Sequence, residues 1–398
     1  MNDPIRPDIA LAAARSEFPG VNKWIYFETS AWGLVPLAAR AAMNRCLDLQ
    51  IEGDFDKDAM CETVDAVRAK FARLIGAAPA EIAIVKNVSE GANAIAASLL
   101  WRAGDNAVIC ADVDHPNCIY ALYNMRDRYG IEVRAIPAVN FRMPVDNIIA
   151  AIDARTRLVM APSVPFSTGL RTDIKRLGAA CREHGVLFMV DGAQSVGALD
   201  MDVNTEKIDA LVVASSKYLC GPHGFGFLYV RRAWADKMQP AYLARYSIDL
   251  HGVHEGDAGG ERYKLKDAAE RFDIGSYNYA GAHAVEVSLD LLLACGTRAI
   301  EAHVLALAHR FARELQALGL PLLAGEAGPH LSQVVIVGGT VGQYDAQTLQ
   351  NLHAYLLANR VKLSLRRGRL RFSFHLYNTE AEVGQVIALI RAWVKQQP

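Results

Sequence analysis

The stretch VDGAQSVGALDMDVNTEKIDALVVASSKYLCGPHGFGFLYV, residues 190–230, opens on the last residue of one apolar run and carries a second, and both runs stop on polar side chains. GVLFMV leads into Asp191, and IDALVVAS leads into Ser215, Ser216 and Lys217. Short apolar runs bounded by turn residues read as strands buried on both faces. A carboxylate and an amine then stand at the ends of two such strands, and glycines follow the amine.

The same rhythm extends in both directions. EIAIVKN (81–87), NAVICAD (106–112), EVRAIPA (132–138) and TRLVMAPSV (156–164) read as strands. Helical patterns such as SEGANAIAASLLWRAG and TDIKRLGAACREHG separate them. VLFMVDGA, ALVVASS and GFGFLYVR complete the series, the last with no helix before it and so free to pair antiparallel. Alternation of this kind predicts an α/β fold with a mainly parallel seven-stranded sheet covered on both faces. Ligands bind such sheets beyond the carboxyl ends of the strands. Asn87, His115, Ser163, Asp191 and Lys217 fall at those ends. After Gly296 a long amphipathic helix, the strands SQVVIVGG and RLRFSFHL and two more helices predict a smaller α+β domain. The expected division is a large domain over 71–290 and a small one from 1–70 with 291–398.

Composition narrows the function. Of 398 residues, 42 are basic and 43 acidic, unlike the basic footprint of a nucleic-acid binder. No apolar run is long enough to span a bilayer, and MNDPIRPDIA lacks the pattern of a signal peptide. Seven cysteines without a CxxC pair suit reduced thiols, with neither a disulfide framework nor a metal site. The expectation is a cytoplasmic enzyme that binds no nucleic acid or membrane.

A buried lysine loses its proton more easily and becomes a nucleophile toward an aldehyde. Asp191, 26 positions before Lys217, can meet it across neighbouring strands. A Schiff-base lysine beside a carboxylate is the requirement of pyridoxal 5'-phosphate (PLP), whose ring nitrogen must stay protonated to act as an electron sink. Taken singly, Asp191 reads sooner as a helix N-cap and Lys217 as a snorkelling surface lysine, and the pairing of the two at successive strand ends weakens both readings. Cys220 reads as a small buried hydrophobe. GPHGFG (221–226) reads as a turn beside the lysine.

Seven stretches in order, VSEGANAIA, DHPNCIYA, PSVPFSTGLR, VDGAQSVGALD, SSKYLCGPHGFGFLYV, RFDIGSYNYAG and LRFSFHLYNTEAEV, resemble a class V aminotransferase-family PLP enzyme of fold type I. That group contains cysteine desulfurases and isopenicillin N epimerase. The resemblance implies that Lys217 forms the internal aldimine, Asp191 pairs with the pyridine nitrogen, Gln194 bonds the phenolic oxygen and His115 stacks on the ring. It implies Ser89, Glu90 and Ser216 at the phosphate, and Ser276 reaching the phosphate of a partner subunit in a homodimer. Arg371 would clamp the substrate's α-carboxylate as a bidentate fork. Lys217, His115 and Asp191 are the expected catalytic residues, with no metal.

Three departures matter. Cysteine desulfurases carry a cysteine on a loop shortly before the carboxylate-binding arginine, whereas LLANRVKLSLRRGRLRFS leaves hardly any loop and no cysteine follows Cys295. Ala214 and Ser216 stand where the family often has serine and histidine, so Ser215 is a candidate substitute at the phosphate. Phe166 stands where an asparagine is often found, which leaves Ser163, Ser167 and Thr168 without a catalytic assignment. The short form points to a C–S (β-elimination) lyase working through an external aldimine of an amino acid. An epimerase or aminotransferase is the alternative within the family, and a non-catalytic PLP-fold binding protein is the alternative outside it. No GxGxxG follows a strand, which argues against a nicotinamide enzyme. Tyr26, Trp32, Tyr123, Tyr246, His251 and His254 are unranked candidates for the substrate pocket.

Overall fold

The structure is a computed structural model that describes residues 7–250, 252, 263–339 and 344–396. Its centre is the expected seven-stranded sheet. The strands are β2 (Ile82–Val85), β3 (Asn106–Ile109), β4 (Glu132–Ala135), β5 (Thr156–Pro162), β6 (Leu187–Asp191), β7 (Ala210–Ala214) and β8 (Gly226–Val230), in the order β2-β8-β7-β6-β5-β3-β4. All neighbours are parallel except β8, which runs antiparallel to both β2 and β7.

Apolar residues on both sides of each strand explain why helices cover both faces. Leu187 and Met189 of β6 enter one core, with Leu158, Met160, Ala210 and Val212. Phe188 and Val190 enter the other, with Val159, Ala161, Leu211 and Val213. That is the two-residue period of a strand, written in apolar side chains throughout. Helices Val88–Ser98 and Pro116–Tyr129 feed the first core. Helices Lys57–Ile75, Ile174–His184 and Tyr279–Cys295 feed the second.

A four-stranded sheet forms the second layer. It contains β1 (Ile25–Phe27), β11 (Val334–Val337), β12 (Val361–Arg366) and β13 (Arg369–Ser373), ordered β1-β12-β13-β11. Two two-residue strands, β9 (Ile248–Asp249) and β10 (Lys264–Leu265), pair separately. β1 was not legible as a strand, because its partner β12 lies across the length of the chain, with Ile25 pairing with Val361. β12 and β13 form a hairpin in which Arg366 faces Arg369. Arg367 and Gly368 are therefore the whole connection, and both have left-handed φ, 50° and 72°.

Register places the polar strand ends together. Pro162 faces Asp191, and Asp191 faces Val212, so the chain leaves β7 beside Asp191 and turns through Ser215 to Lys217.

Candidate active site

Two contacts shape the turn that holds Lys217. The Ser215 hydroxyl, bound 2.6 Å from the Pro222 carbonyl and 2.8 Å from that of Phe225, ties the 221–226 loop back to the strand. That hydroxyl is committed to the backbone, so Ser215 does not serve as the substitute phosphate ligand expected from the sequence. From the other side, the Gly33 amide donates to the Ser216 carbonyl at 2.8 Å. A Cβ on Gly33 would lie 1.9 Å from the Lys217 carbonyl oxygen, so only glycine permits this approach. Residues 28–34 thus form one wall of the site.

Lys217 is half-buried, not an exposed surface lysine. Burial pushes its pKa down and the cation of Arg371 pushes the same way, while Asp191 opposes them. Asp191 also caps locally, accepting the Ala193 amide at 2.9 Å. Ser163 holds the same strand end, with its hydroxyl 3.2 Å from the Asp191 carbonyl and 2.5 Å from the Ser195 hydroxyl. Asp114 is a second carboxylate here that the sequence reading passed over. It is 2% exposed, and its oxygen accepts the His115 amide at 2.7 Å. Oxygens of Asp114 and Asp191 and the Cys118 sulfur lie within 4.8 Å of one another. Burial first, and Asp191 second, push Asp114 up to about 8. Its signal was available: like Asp191, it follows a buried strand.

His115 does two things at once. It caps helix Pro116–Tyr129, with Nδ1 accepting the Asn117 amide at 3.3 Å. Its ring also stands edge-on to Phe166 at 4.8 Å. Burial and then Lys217 push its pKa down against the pull of Asp191, which favours the neutral imidazole. Gln194 donates to the Ser30 carbonyl at 3.1 Å, and its side-chain oxygen is buried without a partner among the described residues.

Arg371 sits on β13 with 2% exposure. It donates to the Phe166 carbonyl at 3.0 Å and to the Ser364 hydroxyl at 3.2 Å. Its Nε has no partner, and no carboxylate pairs with it among the described residues. Burial pulls its pKa down to about 10. It remains charged at neutral pH. A buried guanidinium without a counter-ion is costly unless an anion arrives to meet it.

The remaining expected residues are spread more widely. Ser216 is buried in the lysine turn. Ser89 is half-buried in the first turn of helix Val88–Ser98, whose N-cap is Asn87. Glu90 has protein partners for both its groups: its amide donates to Asn87 and its carboxylate accepts the Lys86 amide. Ser276 is exposed and lines, with Lys86, Glu90 and Gly224, a cavity of about 510 Å³. Tyr26 is buried and donates to the Trp32 carbonyl at 2.7 Å. Trp32 is exposed against His223. Tyr123 packs with Tyr120 and Arg126 on its own helix, and Tyr246 bonds Tyr279. His251 and His254 lie outside the described residues. Cys220 is buried and its sulfur is 3.2 Å from His375 Nε2. Burial pushes its thiol up, so it is no thiolate nucleophile.

These groups fit a phosphorylated pyridine aldehyde. The Lys217 amine feels the charges of Asp191 and Arg371, and His115 feels those of Lys217 and Asp191, so the four share one site; Gln194 in the turn after Asp191 and Arg371 keep polar atoms without a partner among the described residues.

Comparison with known proteins supplies an independent view. The family model "Aminotransferase class-V" matches residues 54–386. An uncharacterised aminotransferase of Bacillus subtilis is 29% identical over 354 residues, covering 89% of this chain and 90% of that one. The apo structure of a cysteine desulfurase from Thermococcus onnurineus superposes with a TM-score of 0.84 at 23% identity, covering 97% and 98% of the two chains. A cystine C–S lyase in complex with its product cysteine persulfide superposes with a TM-score of 0.83 at 23% identity, covering 94% and 99%.

Proposed function

This chain belongs to the aminotransferase class-V family, and from that premise we propose that it is a PLP-dependent C–S lyase that eliminates the β-substituent of an amino acid. The observation that carries the choice within the family is the β12–β13 hairpin. Its two-residue turn, Arg367–Gly368, offers no loop and no cysteine to receive sulfur. Cys118 and Cys220, the cysteines nearest Lys217 in contact or sequence, are buried with thiols pushed up by burial. Sulfur therefore leaves with the substrate fragment.

Lys217 would hold the cofactor through its amine, Asp191 would hold the proton on the ring nitrogen, and His115 would cover the ring face. Gln194 would meet the phenolic oxygen, while Ser89 and Ser216 would meet the phosphate. When bound, the cofactor supplies an electron sink for negative charge at the substrate's α-carbon. Arg371 binds the α-carboxylate and so fixes which Cα bond faces Lys217. Lys217 Nζ, whose proton desolvation makes easier to lose, would take the Cα proton. The C–S bond then breaks, the sulfur leaves with the electron pair as a thiolate, and water completes release of pyruvate and ammonia.

We place this activity in a homodimer, with Ser276 reaching the phosphate of the second copy. Trp32, Leu47 and Ile51 leave large apolar side chains exposed along the N-terminal segment, as an interface would. Seven free cysteines favour a reducing compartment, the cytoplasm. The test is direct. Purified protein reconstituted with PLP is expected to release pyruvate from cysteine thioethers. Absence of pyruvate together with keto acid-dependent formation of the pyridoxamine form would instead make it an aminotransferase.

A further inference from the structure

Beyond Arg371, the RRGRLR segment carries more cations than an α-carboxylate needs. Arg367 and Arg369 line a cavity of about 730 Å³ with Asp112, Phe141, Ser167 and Thr168. Neither arginine makes an ion pair among the described residues. Arg369 Nε is buried without a partner, as is the Thr168 hydroxyl. The one acid of the lining, Asp112, is engaged by the Ala138 amide at 2.8 Å.

Both guanidiniums are held on aromatic rings. Arg367 lies 5.9 Å from the Phe166 ring centre and donates to the Asp112 carbonyl at 3.2 Å. Arg369 lies 5.1 Å from the ring centre of Phe141. Asn140 and Phe141 form the tip of a tight turn at φ 50° and 63°, unfavourable for a phenylalanine. That strained turn presents the ring to Arg369.

The cavity adjoins the active site through Phe166. The same residue meets both His115 and Arg367 with its ring, and Arg371 with its carbonyl. Arg369 and Arg371 are alternate residues of β13, so they share one face of the strand about 7 Å apart. A substrate clamped at Arg371 by its α-carboxylate can thus direct its far end at Arg369 and Arg367.

We infer that Arg367 and Arg369 form a second anion subsite, and that the substrate is an S-substituted cysteine whose sulfur substituent ends in a carboxylate. The choice of sulfur substrate rests on the lyase reading above; the charge preference does not.

The experiment uses PLP-loaded enzyme and two nearly isosteric probes, S-carboxymethylcysteine and its neutral amide, S-carboxamidomethylcysteine. Pyruvate release gives kcat/KM, and titration of the cofactor's absorption gives Kd. The acid is expected to be favoured at least about tenfold in both readouts, the range of a charge-assisted contact. The double variant R367Q/R369Q is expected to reduce that ratio to about one. The charge reversal R367E is expected to shift preference toward S-(2-aminoethyl)cysteine, a gain that an unfolded variant cannot give. Equal values for acid and amide in the wild type, or a ratio unchanged in R367Q/R369Q, would overturn the subsite. A charge preference in Kd with no pyruvate from either probe would keep the subsite and remove the lyase reading.

Discussion

Lys217, half-buried, and Arg371, buried, are basic groups set at two different sheets, one beyond the end of β7 and one in the middle of β13. Burial acts on both in the same direction. The outcomes differ because the chemistry of the two groups differs. An amine can answer desolvation by giving up its proton, which turns Lys217 into a nucleophile and base. A guanidinium cannot do so near neutrality, which leaves Arg371 as a receptor for an anion. Lys217 has Asp191 nearby to temper the effect, whereas Arg371 bonds the Phe166 carbonyl and the Ser364 hydroxyl, with Tyr218 and Glu28 tempering it from further off. One burial principle thus yields the reacting group and the recognition group of a single site.

The sharpest way to break this contrast is to remove the amine. K217A is expected to lower turnover by about 10²–10⁴-fold, the usual weight of a positioned proton acceptor. Retained turnover in steady-state assays would mean that Lys217 is an ordinary buried lysine.

Substituting Arg371 should separate stability from activity. R371M is expected to raise the unfolding free energy of the cofactor-free protein, measured in urea, by up to about 1–4 kcal/mol, because a buried cation with no carboxylate bonded to it is removed. The same change should lower kcat/KM for amino acids by roughly 10–100-fold through loss of a charge-assisted contact. R371M that is both less stable and fully active would contradict the role assigned to it.

Much of the contrast is visible in the sequence. Asp191 and Lys217 stand out because strands buried on both faces leave no other place for a charge than their ends. Arg371 is harder, since Leu370 and Phe372 around it suit a surface strand as well as a buried one. Other parts arrive through contacts distant in sequence. Gly33 meets the lysine turn from more than 180 positions away, and no local pattern predicts its fit. That Asn87 caps the helix carrying Ser89 depends on its side chain reaching the Glu90 amide. Ser215 looks like a phosphate ligand until its hydroxyl is seen to close the following loop.

A smaller effect concerns the carboxylates around Lys217. Asp114 keeps its proton up to about 8 in the fold, whereas an unfolded carboxyl loses it near 4. Between those values the native state binds the extra proton, so stability falls as pH rises. D114N removes this dependence. The stability gained by D114N over the wild type, measured as urea midpoints of cofactor-free protein, is expected to grow from pH 4 to pH 8. A constant difference would mean that Asp114 is ionised despite its burial against Asp191.

The central claim is a covalent one, and borohydride reduction of PLP-loaded protein followed by peptide mass spectrometry tests it most directly. The account predicts a pyridoxyl phosphate adduct on the peptide containing Lys217, with the matching absorbance lost on reduction. An adduct on another lysine, or none after reconstitution, would contradict it.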